Sequence, residues 1–266
     1  MTCAGWDGLG LSEVGKGPTV LWLHGYTLRS SVWEPLWAHM PGWRHIGLDL
    51  PWHGNSRDLR AGEDLQALAD AVAASAAAAS VAHVVAMSFG TILATEMAVR
   101  HPDAFHSWTL VAPSLVGMPH EYAVQQRYRD LAALYAAAGP GSHMTELWMS
   151  VPPAIFAGVN ARAGTREWIY GVVDRHEWRE LRSAGMRQLL TRDQQPAELA
   201  TVTAPVHVMV GERDLLTHRA CARSIASVVP TAVVHQMPGC GHLPLLEEPT
   251  SVAVLLAQNF QFDLRR

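Results

Sequence analysis

Val81-Ala82-His83-Val84-Val85-Ala86-Met87-Ser88-Phe89-Gly90-Thr91-Ile92-Leu93-Ala94 is the stretch on which the fold turns. Its first half is a short run rich in β-branched and apolar residues, as in a buried strand, and its second half continues as a helix. Ser88 falls in the tight turn between them. Such a turn strains its central residue and crowds the positions two before and two after it, so small side chains are required there. Ala86 and Gly90 meet that requirement. A turn of this kind lifts a serine hydroxyl out of the end of a sheet, where it can act as a nucleophile.

Outward from this point, short apolar runs alternate with longer helical stretches, the pattern of a parallel sheet with crossover helices. Strands are predicted at Thr19–Leu23, Arg44–Leu48, His83–Met87, Trp108–Ala112, Val206–Val210 and Val233–Met237. Helices are predicted at Val32–His39, Asp64–Ala79, Phe89–Arg100, Thr217–Val229 and Pro249–Phe260. The class is therefore α/β, with a mostly parallel central sheet and helices on both faces. Residues 114–199 break the rhythm with helix-like segments, Gly/Pro punctuation and no convincing strand. They read as a helical cap inserted into a core made of residues 1–113 and 200–266, packed on it and not tethered by a linker.

Two further residues follow the serine in the order that a nucleophile-acid-histidine relay on such a sheet requires. Asp214 closes the segment Pro205-Val-His-Val-Met-Val-Gly-Glu-Arg-Asp214, a buried strand running into a turn. His242 follows the last strand in Met237-Pro-Gly-Cys-Gly-His-Leu-Pro244, where two glycines allow a loop to come close to the serine. Taken singly, Asp214 reads as a turn aspartate bonding its own backbone and His242 as a surface histidine. Their joint occurrence, each behind its own strand, predicts a triad of Ser88, Asp214 and His242 needing neither metal nor organic cofactor.

With these blocks stand His24-Gly25-Tyr26-Thr27 after the first strong strand and Asp49-Leu-Pro-Trp-His-Gly-Asn-Ser56 after the next. Together with Ala86-Met-Ser-Phe-Gly90, Gly211-Glu-Arg-Asp214 and Gly239-Cys-Gly-His-Leu-Pro-Leu-Leu-Glu-Glu-Pro249, they make the chain resemble the α/β-hydrolase superfamily along nearly its whole length. The likeness is to small carboxylesterases with a helical lid, of the pimeloyl-carrier-protein methyl esterase type. The resemblance implies an oxyanion hole built from the backbone N–H groups of Tyr26 and Phe89, and cleavage of an ester, lactone or thioester through an acyl-enzyme. It also implies loop-stabilising roles for His24 and His53. Two residues depart from the family pattern: Ala86 stands for a glycine, and so does Trp52, whose indole either lines the pocket mouth or covers the loop.

Composition narrows the remaining classes. A chain of 266 residues that is 49% hydrophobic and 17% charged suits one main domain with a substantial core. Its net charge of -4 supplies no basic field for nucleic acid or an anionic membrane surface. Lys16 is the only lysine, which disfavours Schiff-base chemistry. Cys3, Cys221 and Cys240 show neither a disulfide framework nor metal-ligand spacing, and the opening Met-Thr-Cys-Ala-Gly has no leader pattern, so a cytoplasmic protein is expected.

In the cap, Trp148, Trp168, Trp178, Met144, Met149, Ile155 and Phe156 form either an apolar wall over the nucleophile or the cap's own core. Trp52, Trp148, Phe156 and Trp168 are the candidate substrate contacts, for a small apolar acyl group. Arg127, Arg129, Arg162, Arg166, Arg175, Arg179, Arg182, Arg187 and Arg192 are interspersed with acids, so the sequence gives a carrier-protein partner no support. His176-Glu-Trp-Arg-Glu180 approaches a zinc-protease motif but lacks the second histidine, and reads as a charged helix face. Two other classes stay open: a serine-dependent C–C hydrolase, lyase, acyltransferase or cyclase on the same scaffold, and a non-catalytic ligand receptor.

Overall fold

In a computed structural model, residues 6–183 and 185–263 are described; Cys3 lies outside them. Strands β1 (Leu11–Val14), β2 (Thr19–Leu23), β3 (Arg44–Leu48), β4 (Val81–Met87), β5 (Ser107–Val111), β6 (Val206–Gly211) and β7 (Ala232–Met237) form one sheet. Its order is β1-β3-β2-β4-β5-β6-β7. Every pairing is parallel except β1 with β3. The inner strands β2 and β5 are buried at every position, as a strand covered on both faces must be.

Alternation along each strand divides the core between the two faces. Leu21, Leu23, Val84, Ala86, Val206 and Val208 pack against the helices Leu65–Ala78, Phe89–Arg100 and Leu216–Val228. Val20, Trp22, Val85, Met87 and Met209 face the other way, toward Trp33, Leu36, Trp37 and the helix Pro249–Asp263. The α/β-hydrolase fold expected from the sequence is the observed one.

Differences are local and have physical causes. β1 is half-exposed, four residues long and carries Ser12 and Glu13, so its apolar signal was too weak to be read. The helix expected at Val32–His39 divides into a 3₁₀ turn, Ser30–Trp33, and one α-helical turn, Glu34–Trp37, with Pro35 opening the second. Asp64, expected inside the next helix, instead caps it, its carboxylate accepting from the Ala67 amide at 2.8 Å.

Between β5 and β6 come the helices Tyr122–Ala138, Ser142–Met149 and Ala163–Val173 with several short turns, and no strand among the described residues. Trp148, Phe156 and Ile169 of this insertion join the Trp22 face of the core, whereas Leu189 and Leu199 join the Leu21 face. The buried Arg127 binds its helices together by donating to the carbonyls of Leu147, Trp148, Ser150 and Pro152. No helix among the described residues is long and apolar enough to cross a membrane.

Parallel pairing brings Leu23, Met87 and Val111 to one edge of the sheet, and the chain leaves all three strands there. Gly90 opens the helix after β4 at that edge; a Cβ on it would lie 2.5 Å from the Leu23 carbonyl oxygen and 2.6 Å from that of His24. Gly90→Ala should therefore lower stability by about 1–3 kcal/mol, several degrees in Tm. Gly171, inside the helix Ala163–Val173 with open space at its Cβ, gives the opposite expectation. Gly171→Ala should stabilise by about 0.5–1 kcal/mol. Calorimetry of the two variants checks the pair, and a fall in Tm for both or for neither would contradict this packing.

Candidate active site

Ser88 lies at the end of β4 with φ 52° and ψ −120°, outside the regions favoured by residues with a side chain. Its amide donates to the Val111 carbonyl (2.9 Å), and its own carbonyl accepts from the Thr91 amide (2.8 Å), pinning the turn on both sides. Gly25 completes the fit, since a Cβ there would stand 3.4 Å from Ser88 Cβ.

The loops after β6 and β7 bring in the other two residues. A Cβ on Gly211 would be 1.9 Å from the Gly241 carbonyl oxygen, so the two loops approach as closely as backbone permits. Arg213 and Glu212 amides donate to Cys240 and Met237 carbonyls (2.9 and 3.0 Å), locking the pair. Ser88 Oγ and His242 Nε2 are 2.8 Å apart, as are His242 Nδ1 and Asp214 Oδ1. Asp214 Oδ1 also accepts from the Leu215 amide at 2.7 Å. With the carboxylate ionised, Nδ1 donates to it and Nε2 is left to accept from the serine hydroxyl.

Sequence reading passed over the residue that holds the histidine loop. Glu247 has a fully buried carboxylate that accepts from the amides on either side of His242, Gly241 at 2.7 Å and Leu243 at 3.1 Å. Arg162 of the insertion lies 3.4 Å from it. The signal was present in Pro244-Leu-Leu-Glu-Glu-Pro249, an acid embedded in an apolar run. His218 was missed too: its ring stands 4.3 Å from that of His242, and its Nδ1–H donates to the Pro113 carbonyl at 3.1 Å.

The loop after β2 carries Tyr26, and the amides of Tyr26 and Phe89 find no protein acceptor among the described residues. Beneath it, His24 Nδ1–H donates to the Gly25 carbonyl (2.8 Å) while Nε2 accepts from the Leu50 amide (3.0 Å). His53 does the same for the Pro51 carbonyl (2.8 Å) and the Thr27 amide (3.1 Å). Burial drives His24 down to about 4, against the pull of Asp49, and pushes His53 well below the ordinary imidazole value, helped by His176 and His24. Burial, with the neighbouring His242, likewise takes His218 to about 4.

A cavity of about 590 Å³ opens onto Ser88 and His242, and Tyr26 and Phe89 line it. Of the candidate substrate contacts, Trp148 and Phe156 are on its wall; Trp52 and Trp168 are not. Trp52 adopts φ 69°, and its indole packs on Gly185, where an added Cβ would be 2.3 Å from Cζ2. It covers the loop and joins the core. Trp168 borders a separate small recess with Leu36 and Leu246. Among the described lining residues there is no arginine or lysine; besides His242, the titratable groups are Asp193, His120, His218 and the phenols of Tyr26 and Tyr128.

The segment His176–Glu180 corrects its expected role as a charged helix face. His176 and Glu180 are both buried, and the left-handed Trp178 (φ 57°) prevents a continuous helix between them. Glu180 Oε1 accepts from the Tyr26 hydroxyl at 2.5 Å and from His176 Nε2 at 3.1 Å. Burial pushes the Glu180 carboxyl up, but His176 and the Tyr26 phenol outweigh it and hold the group below its ordinary value. The phenol is pushed well above its own range, by burial and then by Glu180.

Comparison with known proteins adds a family. A model of the alpha/beta hydrolase family matches residues 20–255. The chain is 28% identical over 252 residues to the pimeloyl-[acyl-carrier protein] methyl ester esterase of Chromobacterium violaceum, covering 94% of this chain and 97% of that one. It is 29% identical over 278 residues to the protein of the same description from Xanthomonas campestris pv. campestris, covering 92% and 96%. A thermophilic esterase from Thermogutta terrifontis shares the fold with a TM-score of 0.76 at 21% identity, over 96% of this chain and 93% of that one.

The buried imidazoles make acid stability predictable in sign. His24, His53 and His218 titrate lower in the folded chain than the ~6.5 of an exposed histidine, so below that pH the unfolded state binds more protons. Their contribution is complete above about pH 6.5 and is lost as the pH falls toward 4, at up to about 4 kcal/mol per pH unit for three protons. Urea unfolding from about pH 7.5 to 4.5 should show a flat midpoint and then a steep fall. A midpoint indifferent to pH across that window would contradict neutral, buried imidazoles.

Proposed function

The chain belongs to the alpha/beta hydrolase family and is an enzyme of its esterase kind, and from that premise we propose that it hydrolyses a small, uncharged carboxylic ester, lactone or thioester through an acyl-enzyme on Ser88. The observation that carries the reading is the unbroken chain of contacts from Ser88 Oγ through His242 to Asp214, each 2.8 Å, at the floor of a mostly apolar cavity.

In this reading Ser88 Oγ attacks the carbonyl carbon as its proton passes to His242 Nε2, and Asp214 stabilises the imidazolium through Nδ1–H. Negative charge develops on the carbonyl oxygen, where the Tyr26 and Phe89 amides donate to it; one such donor is typically worth ~10²–10³ in rate. Collapse of the tetrahedral intermediate expels the alcohol or thiol, which takes the proton from His242. Water then gives a proton to His242 and attacks the acyl-enzyme, and Ser88 recovers its proton as the acid leaves.

The substrate class follows from the walls. Leu131, Ile155, Phe156 and Trp148 favour an apolar acyl group, and a wall with one carboxylate and no guanidinium disfavours an anionic one. The named relatives act on an ester borne by an acyl-carrier protein. Here four of the insertion's nine arginines are engaged within the chain: Arg162 with Glu248, Arg179 with Asp58, Arg192 with Glu198, and Arg127 with carbonyls. The exposed Arg129, Arg166, Arg175, Arg182 and Arg187 form no ion pair among the described residues but stand among Asp130, Glu167, Asp174 and Glu177, and this mixed-sign surface favours a free small-molecule ester over an acidic carrier.

A fluorophosphonate should label Ser88, and Ser88→Ala should abolish both labelling and turnover. Asp214→Asn should lower kcat by ~10⁴ with KM little changed, because the histidine is left in the wrong tautomer. p-Nitrophenyl esters should give an optimum at an acyl length of about four to eight carbons. Labelling elsewhere, or near-normal turnover by Asp214→Asn, would overturn the triad. Failure with every activated ester would shift the assignment to C–C cleavage or acyl transfer on the same serine.

A further inference from the structure

Tyr26 meets the structure with both of its ends. Its amide belongs to the loop beside Ser88, while its phenol reaches into the insertion and donates to Glu180 Oε1 at 2.5 Å. The ring lies in edge contact with His53, Phe89, Tyr128, Trp148, His176 and Trp178, at centroid separations from 5.4 to 6.3 Å. A second tie runs beside it: Trp148 Nε1–H donates to Thr27 Oγ1 (2.7 Å), whose hydroxyl donates to the Tyr26 carbonyl (2.6 Å). Thr27 itself is held at φ 64°, a conformation its side chain disfavours.

The burial of this carboxylate is offset by its two partners, the Tyr26 phenol and His176. Glu180 is 1% exposed, and its Oε2 has no hydrogen-bond partner among the described residues. Replacing a buried charged group by an apolar side chain of similar size is often neutral for stability, so folding alone does not call for an acid at this position. What it does provide is an acceptor for the Tyr26 hydroxyl, three-quarters of the way along the insertion and 154 residues from the loop it grips.

Resting on the serine-hydrolase reading, we propose that Glu180 is a positioning residue of the oxyanion hole: through the Tyr26 phenol it fixes the Tyr26 amide over Ser88, so that the hole is complete only when the insertion is seated. An oxyanion donor must stand within ~0.2 Å of the right distance, at 2.7–3.1 Å from the oxygen as it becomes charged. A displacement of ~1 Å costs about 100-fold in rate. Fixing a tyrosine at its far end restricts both side-chain torsions and through them the backbone that carries the amide. His53 steadies the same loop from below through the Thr27 amide, and the stacked His176 (4.6 Å, 26°) joins the two supports.

The test uses the full chain with Tyr26→Phe, Glu180→Leu, Glu180→Gln and the double variant Tyr26→Phe/Glu180→Leu. With a p-nitrophenyl ester, Tyr26→Phe and Glu180→Leu should each lose about 10- to 100-fold in kcat, with KM within about threefold. The double variant should be no worse than the poorer single one, since both remove the same bond. Glu180→Gln, whose amide oxygen still accepts from the phenol, should recover much of the loss. Hydrogen–deuterium exchange of a peptide spanning residues 24–28 should quicken in the same order. Unchanged kcat in folded Tyr26→Phe, losses that multiply in the double variant, or a loss confined to KM would overturn the proposal. Should Glu180→Leu fail to fold, Tyr26→Phe, which removes a single oxygen, decides. Turnover surviving in Ser88→Ala would instead refute the serine reading, and exchange alone would then decide whether Glu180 holds the loop.

Discussion

Ser88 is held at φ 52° and ψ −120° by the carbonyl of Val111 on one side and the Thr91 amide on the other, and the geometry of the site radiates from that turn. Such a conformation costs about 1–3 kcal/mol and persists only where its surroundings over-determine it. Here the surroundings are the middle of the sheet: β4 lies between β2 and β5, both fully buried, and the helix that follows presses Gly90 onto the end of β2. The turn cannot relax without opening the centre of the molecule. That is why the strain sits at the buried centre of the sheet, and why the loops must be brought to the serine and not the serine to them.

The loops come in by a common device, a buried acid that accepts from the backbone or from a neighbouring side chain. Asp49 accepts from the Ser30 and Asn55 amides (2.6 and 2.9 Å) and fixes the two segments that flank the His24 loop. Glu247 accepts from the amides around His242, Asp214 from the Leu215 amide and the imidazole, Glu180 from the Tyr26 phenol. Hydrogen bonds to a charged acceptor contribute about 1.5–3 kcal/mol, and leaving the partner amides unpaired when one is removed costs a comparable amount. A loop pinned this way keeps irregular backbone in register without a strand or helix to hold it.

How much of this the sequence disclosed depended on distance along the chain. Strands β2 and β3, the helix after Ser88 and the three residues of the relay are local signals: apolar runs, small residues around a turn, a carboxylate behind a strand. Asp214 and His242 were legible because their order along the chain is fixed by the sheet's winding. Glu180 and Trp52 were not, because their environment is made by segments more than a hundred residues away. His176 and Glu180 sit four apart with charged neighbours, a pattern identical to an exposed helix face until the left-handed Trp178 turns both inward. Trp52 occupies a position with φ 69°, where a missing glycine could be noticed but the direction of the indole could not.

The insertion between β5 and β6 therefore bears on more than substrate access. It reaches the loop of Tyr26 through Glu180 and Trp148, and it reaches the loop of His242 through Gly158, whose absent side chain lets the turn Ala157–Asn160 lie against Glu247. Arg162 in the same segment donates to the Gly158 carbonyl at 2.8 Å and faces Glu247 and Glu248, so this contact is tied at three points. The cavity wall supplied by Trp148 and Phe156 is continuous with these supports. A change in the insertion that reshapes the cavity wall must then also shift the hydrogen bonds that hold the Tyr26 and His242 loops, which the proposed mechanism uses as oxyanion donor and general base. On the proposed mechanism, selectivity and rate would be coupled by shared residues, since Trp148 is at once a wall of the cavity and, through Thr27, a tether of the Tyr26 carbonyl.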